Sequence, residues 1–150
     1  MKVLVLGASG FIGLPVAQAF VRAGHIVYGQ TRSAEKAKQL AAEEIIPVVA
    51  EVENTAAYLP LVATLDAVVD VVGGMNIQAT SALVLSATLD AVKQHRSPSA
   101  PKLAYVYTSG IWVHGDNRKD IITDTTPLGA SPDLISWRER RSRRSSPIPR

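Results

Sequence analysis

Glycine stands at positions 7, 10 and 13, directly behind a short apolar run and directly ahead of a helical repeat. The run, Val3-Leu4-Val5-Leu6, has the pattern of a strand buried on both faces. From Phe11 the apolar spacing is that of an amphipathic helix, with Phe11, Ile12, Val16, Phe20 and Val21 as its stripe. Each glycine has its own reason. Gly7 lets the chain turn sharply with positive φ. Gly10 has no Cβ, so an anion can approach main-chain N–H groups there, and Gly13 lets the helix press against the strand. The first N–H groups of the helix and the positive end of its dipole then face the anion, as they do for a pyrophosphate. Three spaced glycines alone are a weak signal. A strand before them and a helix after them give the signal its weight.

Residues 7–13, Gly-Ala-Ser-Gly-Phe-Ile-Gly, resemble the G-x-x-G-x-x-G turn of the extended and atypical short-chain dehydrogenase/reductase superfamily. That group includes nucleotide-sugar epimerases and dehydratases and the NmrA-like proteins. Phe11-Ile12-Gly13 is the form of the epimerase/dehydratase branch, and the resemblance continues to about residue 115. It implies a nicotinamide dinucleotide held by Gly7, Ala8, Ser9, Gly10, Phe11, Ile12 and Gly13.

A chain of 150 residues, 47% apolar and 19% charged, suits one soluble domain with a real core. It has no cysteine, which excludes disulfides, thiolate metal sites and a cysteine nucleophile and fits the cytoplasm. Lys2 and the apolar residues after it do not make a signal peptide, because glycines interrupt the run and charge returns at Arg22. No uninterrupted apolar stretch is long enough to span a membrane. The net charge of +3 conceals an asymmetry. Residues 138–150 hold six arginines and one acid, +5, which leaves 1–137 with ten basic and twelve acidic side chains, −2.

Alternating patterns continue along the chain. Gly24 closes the first helix at about Ala23, and residues 25–29 read as the second strand. A helix over 33–42 and a strand over 45–49 follow, then Glu51 and Glu53 on a solvated turn and an irregular helix over 54–62 broken at Pro60. In the resembling family an adenine-side contact often sits near those two acids. A strand over 65–72 ends at Gly73-Gly74, and a long helix covers 77–94. A fifth strand spans 103–107. Strands alternating with helices give a doubly wound parallel sheet of Rossmann type, three layers αβα. In the resembling family a small-residue pair such as Gly73 and Gly74 lines the cofactor; a plain turn accounts for it equally. Helix 77–94 is apolar around much of its circumference, and related folds use it to form a homodimer. Burial against the sheet is the alternative.

The second strand ends in Thr31-Arg32-Ser33, and no acid occurs before Glu35. An NAD-binding unit carries an Asp or Glu near this point to accept the ribose hydroxyls. A guanidinium flanked by two hydroxyls suits a 2′-phosphate instead, so NADP(H) is favoured over NAD(H). Ser33 also has the position of a helix N-cap.

Thr108-Ser109-Gly110-Ile111-Trp112-Val113-His114-Gly115 resembles the family's Ser-Ser-x-x-Val-Tyr-Gly segment, in which a Ser or Thr bonds the substrate oxygen. Ser109 is the candidate catalytic residue counted from the left. Counting back from Gly115 lands on Gly110, Thr108 is the fallback, and His114 replaces the usual Tyr. The family's acid–base pair is Tyr-x-x-x-Lys: one helical turn aligns the two side chains, and the lysine lowers the tyrosine's pKa. The four tyrosines here, Tyr28, Tyr58, Tyr105 and Tyr107, have Arg32, Val62, Ser109 and Ile111 four positions on. None is lysine.

Residues 1–137 therefore read as a cofactor-binding domain and 138–150 as a basic, disordered tail. The tail is the end of a truncated gene product, an ordinary solvated tail, or a binder of phosphate-rich partners. Nucleic acid is disfavoured, because no aromatics are interleaved with the arginines. Two functions compete. One is the NAD(P)-binding domain of an epimerase/dehydratase-like oxidoreductase acting on a sugar or a secondary alcohol or ketone. The other is a non-catalytic, NmrA-like NADP sensor, which the missing Tyr-x-x-x-Lys favours.

Overall fold

A computed structural model describes residues 1–116 and 119–138. The basic tail expected from 138 onward lies, apart from Arg138, outside the described residues. The chain forms two compact units, Met1–Thr108 and a second beginning at Ser109.

The first unit carries five strands and three helices: β1 Lys2–Leu6, α1 Gly13–Arg22, β2 Ile26–Thr31, α2 Ala34–Ala42, β3 Ile46–Val49, β4 Ala67–Asp70, α3 Ile77–His95 and β5 Ala104–Tyr107. The strands are all parallel, in the order β3-β2-β1-β4-β5. Expectation and structure agree on the doubly wound parallel sheet. Val3 lies between Val27 of β2 and Ala67 of β4. The alternation along β1 feeds two cores. Val3 and Val5 join Ala17, Val27, Leu40, Ile45 and Val69 on one face. Leu4 and Leu6 join Tyr58, Val62, Leu65, Val68 and Val84 on the other. The strand order reverses at β1 and β4, so the crevice for a ligand opens beyond their carboxyl ends.

Two helices end in the same way. Gly24, at φ +78°, follows α1; its N–H donates to Val21 O and that of His25 to Phe20 O. Glu44, at φ +61°, follows α2; its N–H donates to Ala41 O and that of Ile45 to Leu40 O. Both are Schellman closures, with Phe20–His25 and Leu40–Ile45 as the expected apolar pairs across the motif. Only the first has glycine at the left-handed position.

Three expectations need correction. Phe11 and Ile12 are not part of the first helix's apolar stripe. The helix starts at Gly13, Phe11 is 98% exposed, and the stripe is Leu14, Val16, Ala17, Phe20 and Val21. The reason is the turn itself, which uses residues 7–12 and is closed by the Gly10 N–H on Gly7 O. The region expected as one irregular helix is two short 3-10 turns, Thr55–Ala57 and Leu59–Ala63, with Pro60 opening the second. On α3 the buried face is Thr80, Ser81, Val84, Thr88 and Ala91, while Leu83 and Leu89 are exposed. That buried set keeps helical spacing but uses small side chains. Thr88 satisfies its hydroxyl on Val84 O, one turn back.

The second unit has a 3-10 turn at Ile111–His114. Its buried residue is Val113, while Trp112 is exposed. Gly129 packs so closely on the His114 carbonyl that a Cβ there would lie 2.2 Å from its oxygen.

Candidate functional site

The turn after β1 is held open by its own main chain. Gly7 has φ +76°, and a Cβ on it would meet the Val71 carbonyl at 3.3 Å. A Cβ on Gly13 would lie 2.1 Å from Gly7 O, so the start of α1 rests directly on the turn. Gly10 differs from both. A Cβ there would meet only Gly7 O, at 3.2 Å. At Gly73 a Cβ would meet nothing within 4 Å. The protein's own packing therefore demands glycine at 7 and 13; at 10 a Cβ is crowded by one carbonyl oxygen alone, and over 73 the space is open.

That space belongs to a cleft of about 550 Å³ within the first unit, a size that suits a small-molecule or cofactor site. Gly7, Ser9 and Gly10 form one wall, and Gly73, Gly74 and Met75 another. Thr31, Arg32 and Lys36 line it from the end of β2 and the start of α2, and Glu51, Val52 and Glu53 from the chain after β3. Among the expected contacts, Ala8 and Gly13 are buried in or under the turn, and Phe11 and Ile12 project outward. None of these four lines the cleft. Ser33 caps α2 by accepting the Lys36 N–H at 3.2 Å.

Polar contacts fix the cleft's floor. Ser9 Oγ and Thr31 Oγ1 share a hydrogen bond of 2.8 Å, and the Ser33 N–H donates to the same Thr31 oxygen at 3.3 Å. Glu53 is more than a solvated turn residue: its Oε1 accepts the Thr80 hydroxyl of α3 at 2.8 Å. Two side chains that sequence reasoning passed over are anchored beneath the cleft. Gln30, 4% exposed, accepts the Gly7 N–H and donates to Ala50 O. Asp70, 1% exposed, accepts the Tyr105 hydroxyl at 2.9 Å and the Val72 N–H at 3.2 Å. Tyr58 donates its hydroxyl to Val52 O. Burial, then the charges of Asp70 and Glu53, push its pKa up. Nothing in the local sequence marks Gln30, whose partners Gly7 and Ala50 are 23 and 20 residues away, or Asp70, which holds the Tyr105 hydroxyl from 35 residues away.

A family model described as NAD(P)H-binding matches residues 7–118. The chain belongs to the NAD(P)H-binding family. Solved structures similar to this NAD(P)H-binding chain share its fold. A UDP-glucose 4-epimerase from Bifidobacterium longum, in complex with NAD+ and UDP, superposes with a TM-score of 0.69 at 18% identity, over 98% of this chain and 50% of that one. A UDP-glucose-4-epimerase from Stenotrophomonas maltophila with bound NAD gives 0.72 at 17% identity, over 95% and 47%. A nucleoside-diphosphate-sugar epimerase from Pseudomonas aeruginosa gives 0.63 at 21% identity, over 96% and 46%. The chain thus spans about half the length of these proteins. Comparison with curated proteins gives no match.

The cleft of the NAD(P)H-binding unit has the volume and the glycine lining, Gly7, Gly10, Gly73 and Gly74, that a dinucleotide needs. The second unit begins at Ser109, which is half-buried. Thr108, the fallback candidate, ends the first unit and donates its N–H to Asp70 O. His114 Nδ1 lies 3.2 Å from Pro127 O. Among the described residues no cluster of His, Asp and Glu could hold a metal ion, and no helix is long and apolar enough to cross a membrane.

Proposed function

We propose that the cleft binds NADP(H) in preference to NAD(H), and that this chain is the cofactor-binding part of an epimerase/dehydratase-like oxidoreductase. The observation that carries the cofactor choice is the end of β2. Thr31, Arg32 and Lys36 line the cleft where an NAD site has its acid, and the Thr31 hydroxyl is already engaged by Ser9 and the Ser33 N–H. Arg32 can take a 2′-phosphate through its planar fork, with Lys36 as a second charge. Gly7, Ser9 and Gly10 would hold the pyrophosphate, and Gly73 and Gly74 would pass along the nicotinamide half. When bound, the dinucleotide supplies hydride transfer; the protein binds and orients it. Substrates of this reading are sugars or other secondary alcohols and ketones, with Ser109 as the hydrogen-bonding residue for the substrate oxygen. Residues 1–137 are taken as the cofactor domain, working in the cytoplasm, with copies paired along α3 through its exposed Leu83 and Leu89.

A second reading has one observation in its favour. No tyrosine has a lysine four positions on, which suits an NmrA-like sensor that binds NADP(H) without turnover. Calorimetry with NADPH and NADH, on the wild type and on Arg32→Ala, tests the cofactor choice. Equal affinities in the wild type would refute it.

A further inference from the structure

We infer that Gln30 is the positioning residue of the cleft: its side-chain amide sets the spacing between the glycine turn and the chain after β3. This rests on the dinucleotide reading above. The turn is tied to β2 at three successive residues. Gly7 N–H donates to Gln30 Oε1 at 2.9 Å, Ala8 N–H to Gln30 O at 3.0 Å, and Ser9 Oγ bonds Thr31 Oγ1. The first of these ties is a side chain, and it continues. Gln30 Nε2 donates to Ala50 O at 2.6 Å. Ala50 directly precedes Glu51, Val52 and Glu53, which also line the cleft. One amide therefore ties the glycine turn to the chain after β3.

The chemistry suits a neutral group that both accepts and donates. The Gly7 N–H needs an acceptor and the Ala50 C=O needs a donor, a few ångströms apart in a place 4% exposed to water. A neutral amide presents both in one plane. Leucine fills similar volume and leaves both main-chain groups unpaired. Glutamate accepts the Gly7 N–H but, when ionised, sets two acceptors against each other at Ala50. A protonated glutamate donates to Ala50 O and reproduces the amide. The bond also fixes which groups meet an anion. Gly7 N–H is committed to Gln30 and Gly10 N–H to Gly7 O, so an anion over the turn meets neither of these two donors.

The test uses the whole chain, NADPH and NADH as probes, and a thermal melt of every variant. Gln30→Leu, titrated well below its melting temperature, is expected to bind both dinucleotides about five- to a hundredfold more weakly, the range set by leaving a buried polar group unpaired. The loss should be equal for the two cofactors, because the turn and not the 2′-phosphate site is disturbed. Gln30→Glu supplies a readout that a purely structural role would not move. Its affinity should recover as pH falls and the new carboxyl is protonated, measured as a ratio to the wild type at each pH. That ratio cancels titration of the cofactor phosphates and of Glu51, Glu53 and Lys36, which line the same cleft. It also serves if Gln30→Leu fails to fold. Unchanged affinity in Gln30→Leu with a lowered melting temperature would overturn the assignment alone. A Gln30→Glu ratio that is flat with pH would do the same. A wild type that binds neither dinucleotide would overturn the dinucleotide reading and this assignment together.

Discussion

Alanine at position 13 puts a Cβ 2.1 Å from Gly7 O, 2.7 Å from Gly7 C and 2.9 Å from Ala8 Cα. All three are main-chain atoms, so no side chain can swing aside. Either α1 lifts off the turn or the turn opens. Overpacking of this kind costs about 1–3 kcal/mol, and rigid contacts put Gly13→Ala at the upper end. In a domain of this size each kcal/mol shifts the midpoint by roughly 2–4 °C, so the melt should fall by about 5–10 °C. Position 10 is the control. Its Cβ meets one atom, Gly7 O, at 3.2 Å. Gly10→Val should keep the fold with a small loss of stability and abolish dinucleotide binding, because its side chain occupies the space over the turn. Circular dichroism melts and an NADPH titration on both variants separate folding from binding. A Gly13→Ala protein as stable as the wild type would refute the packing argument. A Gly10→Val protein with wild-type affinity would remove the pyrophosphate from this turn.

The remaining predictions concern other parts of the chain. Arg32→Ala should weaken NADPH by about 1.5–3 kcal/mol, the scale of hydrogen bonds to a charged group, and leave NADH nearly unchanged; equal losses by calorimetry would count against a 2′-phosphate role. Glu44→Gly should stabilise the protein by roughly 0.5–1 kcal/mol, because relief of the left-handed conformation outweighs the added freedom of glycine in the unfolded chain; urea unfolding measures it. Tyr58 is held protonated in the folded state, its pKa raised above the ordinary 10.0. Its contribution is therefore complete below about pH 10 and is lost as pH rises beyond it, where the unfolded chain gives up the proton first. Tyr58→Phe should flatten that alkaline slope in pH-dependent melts. The chain as it stands should show no steady-state turnover of NADPH with ketones or nucleotide sugars, since no tyrosine has a lysine four positions on and the acid–base help of such a pair is typically worth about 10²–10⁴ in rate; turnover abolished by Ser109→Ala would point to another proton donor, His114 first.

What the sequence determined by itself was local. Val3 to Leu6 alternate between two cores, and a run this short, apolar at every position and stopped by glycine, suits a strand covered on both sides. Gly13 answers to main-chain contacts within six residues and Gly7 to its own left-handed φ, so their spacing carried the turn and the start of α1. Arg32 stood out because the acid expected at that point was missing. Tertiary structure decided what depends on distant partners. Ser81 and Thr88 are buried while Leu83 and Leu89 are exposed, because close packing on the buried face of α3 selects side-chain size as well as polarity. Glu53 reads as a solvated acid until α3 brings Thr80 to within 2.8 Å. Gln30 and Asp70 are polar side chains in strands, and sequence assigns them no role. Each becomes functional through burial, which makes an unpaired polar group costly and commits its hydrogen bonds to whatever the fold has placed beside it. For Gln30 that means the glycine turn at Gly7 on one side and the chain after β3, at Ala50, on the other.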